Sequence, residues 1–159
     1  MNSKLLLPNK YKMLGWFLLI PSAILGIFLP IKGLDEALSI KTKVFAIVDS
    51  EFFKDPKYFT FVQANITTTL IAVLFIIGAV LVGFSKEKRE DEFIANLRLS
   101  SLLWAVLVNY TLLFLAFVFV YGMAFFNVMM YNMFTVLVIF IFRFNYLLYK
   151  NNKAAANEK

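Results

Sequence analysis

Residues 99–142 read LSSLLWAVLVNYTLLFLAFVFVYGMAFFNVMMYNMFTVLVIFIF, and none of these 44 residues is Asp, Glu, Lys or Arg. A single helix of that length would run about 66 Å, at about 1.5 Å per residue. The hydrocarbon core of a bilayer is only about 30 Å thick. The stretch therefore predicts two membrane-spanning helices that double back at a tight turn, for which Gly122 and Asn127 are the candidate residues.

The composition of the whole chain agrees with a membrane location. Of its 159 residues, 61% are hydrophobic and 16% are charged, and the mean hydropathy is +0.76. A water-soluble domain carries roughly 25% charged residues. A soluble domain of this length could not bury so much apolar surface, which predicts an integral membrane protein covered in part by lipid.

Four spans follow from apolar runs close to the roughly 20 residues that a spanning helix needs. They cover about residues 13–31, 66–84, 99–121 and 126–149. The predicted fold is all-α, a single domain over residues 1–159, arranged as a four-transmembrane-helix bundle with a tight hairpin between spans three and four. Pro21 is expected to interrupt the first span and Pro30 to end it. A cleaved signal peptide is the alternative for this span, which its length disfavours.

The positions of Lys and Arg predict the orientation of the spans. Eleven of them lie in the N-terminal segment, in an inner connector over residues 85–98 and in the C-terminal end from Arg143 onward. Five lie in an outer loop over residues 32–65. We therefore predict a multi-pass protein of the bacterial inner membrane with both termini in the cytoplasm. The same bias explains the net charge of +6 without a nucleic-acid partner.

The outer loop is rich in apolar and aromatic residues for a segment outside the membrane. Residues 43–48 predict a short strand, and Asp49 or Ser50 would cap a short helix that Pro56 ends. Two interpretations stay open for the loop. It folds against the membrane helices or the lipid interface, or it presents a surface to a ligand or partner outside the membrane.

The inner connector mixes both charge signs. As a helix it would pair Lys86 with Glu90 and Lys88 with Glu92 at i,i+4 spacing, and Arg98 would lie where span three enters lipid. It is interpreted either as a solvated helical linker or as a docking site for another protein. Glu90, Asp91 and Glu92 also form an acidic cluster, but consecutive residues point in different directions on a helix, so no cation site is predicted.

Polar residues inside spans three and four are candidates for helix packing or for a polar pathway. Asn109, Asn132 and Thr135 lie on helix faces that also carry small residues, as is usual between membrane helices. With a turn centred near Met123, Asn109 would lie at the depth of Val138. In the first span, the small residues at positions 15, 22 and 26 share one face and predict close helix contact.

Arg143 is the one charged residue that falls within a predicted span. The simplest interpretation is that its side chain extends to the cytoplasmic interface. The alternatives are stacking on Trp104, which would lie at the same depth, pairing with Asp91 or Glu92, or contact with an anionic lipid headgroup.

Several kinds of chemistry lack the residues they need. The chain has no His and no Cys, which excludes a Ser-His or Cys-His catalytic pair, a disulfide and His-bound haem. No phosphate-binding glycine loop is present, and no predicted span carries a central Asp, Glu or His for proton transfer. We therefore predict no enzymatic activity, no cofactor and no bound metal.

Residues 84–110 read FSKEKREDEFIANLRLSSLLWAVLVNY. This charged connector leading into a Trp-containing span resembles small uncharacterised four-span membrane proteins of Bacteroidota. The resemblance extends over residues 84–149 and implies a bacterial inner membrane. It implies no activity and no catalytic residues.

Two functions are compatible with these patterns. The first is a regulatory, binding or accessory subunit that acts through its loops, with another membrane or cytoplasmic protein as partner. The second is a small oligomeric channel or transporter lined by Asn109, Asn132 and Thr135. Both have the lipid bilayer as their surroundings, and a homo-oligomer is an open alternative in both.

Overall fold

The computed structural model describes residues 6–32, 39–49, 57–88 and 90–157. This part of the chain is mainly helical, with one small sheet. Its elements are α1 (Lys10–Lys32), β1 (Lys41–Asp49), β2 (Lys57–Asn65), α2 (Ile66–Phe84), α3 (Glu92–Phe119) and α4 (Met123–Asn157). The prediction of four helices is confirmed, whereas the all-α class is wrong in one respect because it left out the sheet.

All four helices are long and apolar enough to cross a membrane. The segments concerned are Lys10–Leu29, Ile66–Phe84, Glu92–Phe119 and Met123–Ala154. At most 22% of the most apolar part of each is buried within the protein. Their exposed side chains are predominantly apolar, which is the composition expected for surfaces that face lipid rather than water.

The helix boundaries differ from the predicted ones where charged or special residues lie. The first helix is continuous through Pro21 and ends at Lys32, two residues beyond Pro30, so the predicted interruption and the predicted end are wrong. A proline removes one backbone donor but does not have to break a helix in a membrane protein. The third helix begins at Glu92 because Asp91 caps it, seven residues before the predicted start at residue 99.

The described contacts divide the chain into two compact units. One combines Met1–Phe17 with Ile76–Lys159, and the other is Leu18–Phe75.

The first unit is built on close contacts between small and aromatic residues. The ring of Phe140 is fully buried, and it packs against Gly83 so closely that a Cβ at residue 83 would lie 2.6 Å from its Cε1. Phe140 also contacts the rings of Phe84 and Phe144, with centroids 5.8 and 6.0 Å apart. On α1, a Cβ at Gly15 would lie 2.8 Å from the backbone nitrogen of Val82. These helices approach closely only because glycine lies at the contact points.

The second unit contains the two-stranded antiparallel sheet. Its ladder pairs residues from Lys41↔Asn65 at one end to Asp49↔Lys57 at the other. The predicted strand over residues 43–48 is confirmed within β1, and β2 was not predicted. Asp49 is the last residue of β1, so it does not cap a helix, and the rest of the predicted short helix, residues 50–56, lies outside the described part of the chain.

No residue separates β2 from α2, so the sheet is joined directly to the start of an apolar helix. The backbone N–H of Ile66 donates to the carbonyl of Ile40 at 3.1 Å. The Asn65 side chain accepts from the N–H of Thr67 at 3.1 Å, and the Thr67 hydroxyl accepts from the N–H of Ile40 at 3.1 Å. These bonds satisfy polar groups at the start of α2 and hold both strands there.

We expect Gly15→Ala to destabilise the protein and Gly26→Ala to leave its stability almost unchanged. A methyl group at residue 15 would overlap the Val82 backbone, whereas the nearest atom to one at residue 26 is Ile71 Cγ2 at 3.9 Å. Overpacking of this kind costs about 1–3 kcal/mol. Thermal unfolding of the purified protein in detergent, followed by Trp fluorescence, measures the difference. Equal unfolding temperatures for both variants would contradict the close contact.

Candidate functional site

The described residues of the inner connector that precede α3, 85–88, 90 and 91, are not helical, and the predicted helical pairs of Lys86 with Glu90 and Lys88 with Glu92 are therefore wrong. The Asp91 side chain explains the change, because it accepts a hydrogen bond from the N–H of Ile94 at 2.8 Å and so starts α3 at the next residue. Glu90 lies outside the helix and Glu92 is its first residue. The three carboxylates thus occupy different structural positions. Among the described residues, no group of three His, Cys, Asp or Glu could hold a metal ion.

Arg98, which lies in α3, makes the main side-chain contacts with the connector residues that precede the helix. Its residue surface is 5% exposed, and its guanidinium meets the Glu90 carboxylate through Nη1–Oε1 at 2.6 Å and Nη2–Oε2 at 3.3 Å. Nη2 also donates to the carbonyl of Ser85 at 3.1 Å, and the Phe144 ring lies 5.0 Å from the guanidinium carbon. A bidentate ion pair with additional contacts is the arrangement that a buried arginine requires. The sequence predicted Arg98 at the edge of lipid, but not this pairing.

The carboxylate of Glu90 is held in its charged form. Burial raises the pKa of this carboxyl, but the hydrogen bond from Arg98 opposes it, together with the backbone N–H of Glu87 and the charges of Arg98 and Lys86. The net result is a pKa below the usual value of 4.5. The Glu87 N–H donates to Oε2 at 2.8 Å, so the carboxylate also holds the connector backbone at Glu87.

The N-terminal segment is attached to the same connector. Leu7 forms a parallel bridge with Ser85: its N–H donates to the carbonyl of Phe84 at 3.0 Å, and its carbonyl accepts from the N–H of Lys86 at 2.8 Å. The Asn9 amide donates to the carbonyl of Lys86 at 2.6 Å. The connector is therefore a fixed surface within this unit rather than a solvated linker.

An open groove of about 780 Å³ lies beside this connector. Its polar lining includes Lys10, Lys12, Lys88 and Glu87, of which Lys12 and Glu87 form an ion pair. Its apolar lining consists of Met13, Trp16, Ile94 and Leu148. The sequence analysis did not identify this groove, because its walls come from three distant parts of the chain.

Arg143 stacks on Trp104, with the guanidinium carbon 4.4 Å from the ring. This is one of the alternatives considered from the sequence. The Asp91 side chain caps α3 rather than pairing with Arg143. The Nε of Arg143 is buried without a hydrogen-bond partner in the described structure. The stack joins α3 to α4 through a cation–π contact.

Asn109 and Asn132 bond to each other. The two amides exchange hydrogen bonds at 3.0 and 3.3 Å, and the Thr135 hydroxyl donates to the carbonyl of Tyr131 on its own helix at 3.0 Å. Asn109 therefore lies opposite Asn132, and its predicted match with Val138 is wrong. Interhelical bonds of this type contribute about 0.6 kcal/mol on average. They fix the relative register of α3 and α4.

An exposed aromatic cluster on the sheet is a feature that the sequence analysis missed. The rings of Phe45 and Phe61 are cross-strand neighbours with centroids 5.5 Å apart, and the Phe59 ring lies 6.4 Å from that of Phe45. All three side chains are more than half exposed. Alternation of aromatic residues at positions 59 and 61 was the signal that could have revealed a strand face.

The backbone is strained at the same place. Phe59 has a φ of +50°, which a bulky residue rarely adopts, and the ladder skips the pair formed by Ile47 and Phe59. Strain of this kind costs about 1–3 kcal/mol and is concentrated at functional positions.

The chain matches no protein-family model, no curated protein sequence and no solved structure. Three features of the described structure are candidates for function: the aromatic sheet face, the fixed connector with its groove, and the polar pairs between α3 and α4. Of these, the first two are open to other molecules, whereas Asn109 and Asn132 bond to each other.

Replacing Arg98 with Met is expected to lower the free energy of unfolding by about 3 kcal/mol, because a carboxylate whose side chain is only 15% exposed then loses its partner. Arg98→Met combined with Glu90→Met should cost markedly less, since no unpaired charge remains. The free energies of unfolding of Arg98→Met, Glu90→Met and the double variant are measured in mixed micelles. If the double variant loses as much as the sum of the two single variants, the direct pairing of these side chains is contradicted.

The same pair predicts an acid dependence. Because folding lowers the pKa of Glu90, its carboxylate stabilises the fold above the usual value of 4.5, and this contribution is lost as the pH falls through the lower folded value. Wild type should therefore lose stability below about pH 4.5 more steeply than Glu90→Gln. Parallel pH profiles for the two proteins would show that Glu90 does not carry the effect.

Proposed function

We propose that the chain is a multi-pass protein of the bacterial inner membrane that catalyses no reaction and acts as an accessory or regulatory subunit by binding a protein partner. Four membrane-capable helices support the multi-pass part. The excess of Lys and Arg in the connector and terminal segments supports cytoplasmic termini. The resemblance to four-span membrane proteins of Bacteroidota supports the bacterial membrane.

In this proposal the four helices form a bundle in which α3 and α4 are a tight hairpin. Three residues separate the two helices, and Gly122 among them has a φ of +68°, which glycine adopts without strain. The rings of Phe117 and Phe125 lie 4.7 Å apart on either side of this turn. The Asn109–Asn132 and Trp104–Arg143 contacts are consistent with antiparallel neighbours.

The observation that carries the proposed binding role is the aromatic sheet face. Single exposed apolar residues are ordinary, but the Phe45 ring contacts those of both Phe59 and Phe61, and an exposed apolar cluster of this kind is typical of an interaction site. An isolated two-stranded sheet is only marginally stable in water. Contact with another molecule would cover the rings and stabilise the strands that carry them.

The position of these rings favours a protein partner over the bilayer. Phe61 lies four residues before the end of β2, about 13 Å along the strand from its last residue. The polar residues Lys43, Gln63 and Asn65 occupy the same sheet face between the rings and that helix. The partner surface is therefore apolar at its centre, with acidic groups positioned to meet Lys43 and also Lys41, which lies on the same face.

The channel alternative stays a prediction. Its three predicted lining residues have hydrogen-bond partners within α3 and α4, and Asn109 is almost fully buried. Polar side chains that satisfy one another support helix packing more directly than they support a water-filled path.

Replacing Phe45 and Phe61 together with Thr should abolish partner binding, because large buried aromatics dominate interface energies and threonine retains strand propensity. The matched control replaces Val48 and Tyr58 with Thr; both are exposed, and their positions in the register place them on the opposite face. Tagged proteins are purified from native membranes in mild detergent, and the stoichiometry of each bound protein is measured.

We expect a stoichiometric protein with wild type and with the control, and at least about a tenfold loss with the Phe variant. Equal recovery with both variants would contradict a binding role for this face. A wild-type protein that runs as a homo-oligomer without a partner would instead favour the channel, and one that associates only with lipid would favour insertion of the rings into the bilayer.

A further inference from the structure

The groove beside the connector has a polar end and an apolar end. Lys10 and Lys12 lie in the first turn of α1, and Met13 and Trp16 follow in the next. On a helix, positions 12 and 16 lie one above the other on the same face. The groove thus passes from lysine to aromatic and aliphatic side chains within the first two turns of Lys10–Leu29, the segment that is long and apolar enough to cross a membrane.

The charge of the lining favours an anion. Three lysines against one glutamate give the groove a net charge of +2, even though Lys12 is paired with Glu87. Lys10 and Lys88 are both exposed, so their ammonium groups are accessible to a ligand. The Asn9 amide, which is bonded to the connector, adds a further polar wall.

A phospholipid headgroup with its adjoining acyl chains matches this order of groups. Its phosphate would lie among the lysines, and the chains would pass along Met13, Trp16 and Leu148 towards the hydrocarbon region. A tryptophan at the boundary of an apolar helix is typical of the lipid interface. A free anion would use the lysines only and would leave the apolar walls without a role.

We propose that the groove formed by the start of α1, the connector and the end of α4 binds one anionic phospholipid of the surrounding bilayer. The proposal is independent of the partner-binding role, because the aromatic sheet face belongs to the other unit. The Arg98–Glu90 pair supports the lipid site indirectly, by fixing the connector that carries Glu87 and Lys88.

Quenching of Trp16 by brominated phospholipid tests this proposal. Full-length protein carrying Trp104→Phe has Trp16 as its single tryptophan. It is titrated in neutral detergent micelles with brominated phosphatidylglycerol or, separately, with brominated phosphatidylcholine. We expect saturable quenching at low mole fraction with the anionic lipid and weak, linear quenching with the zwitterionic one.

Lys10→Gln and Lys88→Gln should each weaken binding of the anionic lipid about fivefold, the factor that corresponds to about 1 kcal/mol per basic residue near an anionic surface. Lys150→Gln is the matched control, since Lys150 is also exposed but lies on the side of α4 opposite Leu148 and Asn152. Elution volume and circular dichroism confirm that the variants remain folded.

Three results would overturn the proposal. The first is equal quenching by both lipids, and the second is an equal loss of affinity in the Lys150→Gln control. The third is displacement of the lipid by millimolar inorganic phosphate, which would show that the lysines recognise a free anion. The wild-type comparison of the two lipids decides the outcome even if a variant fails to fold.

Discussion

The ion pair between Arg98 and Glu90 is the interaction on which the organisation of the first unit depends. A guanidinium removed from water needs a carboxylate and further partners. Glu90 and the Ser85 carbonyl accept hydrogen bonds from its two terminal nitrogens and the Phe144 ring lies beside it, whereas its buried Nε has no hydrogen-bond partner among the described residues. Meeting this need draws the connector back against α3. Once the connector is fixed, the N-terminal segment bonds to it through Leu7, and the groove beside it acquires a defined shape.

Contacts in the apolar part of this unit follow a different rule. Lipid offers no hydrophobic gain for bringing helices together, so close packing and a few polar pairs have to hold them. Gly15 and Gly83 provide the close approach, and the Asn109–Asn132 pair fixes the register of α3 against α4. Close packing of the helix backbones therefore supplies stability, whereas the hydrogen bonds between the two asparagine amides fix the register of α3 against α4.

Local patterns predicted the helices and part of the sheet. The long uncharged run over residues 99–142 predicted two apolar helices because charge is excluded from lipid over a known thickness, and β1 followed from its β-branched and aromatic residues. The prediction missed β2, and it assigned a helix to the connector because the spacing of Lys86 and Glu90 imitates one. Asp91 prevents that helix because it caps α3, which begins at the next residue, Glu92.

Non-local contacts were beyond reach for a physical reason. The Leu7–Ser85 bridge joins residues far apart in the chain, and no periodicity records such a pairing. Of the two predicted depth matches between α3 and α4, one is present in the structure. The predicted match of Trp104 with Arg143 holds because a long arginine side chain reaches about one turn towards the start of its helix, whereas the short Asn109 meets Asn132 directly.

Hydrogen–deuterium exchange at the connector tests the central claim most directly. The amides of Leu7 and Lys86 donate to the carbonyls of Phe84 and Leu7, respectively, and they should exchange slowly in the wild-type protein in micelles. In Glu90→Gln both should exchange much faster, while amides in the middle of α3 keep their protection. Unchanged protection of Leu7 and Lys86 in Glu90→Gln would contradict the account, because the connector would then hold its form without the ion pair.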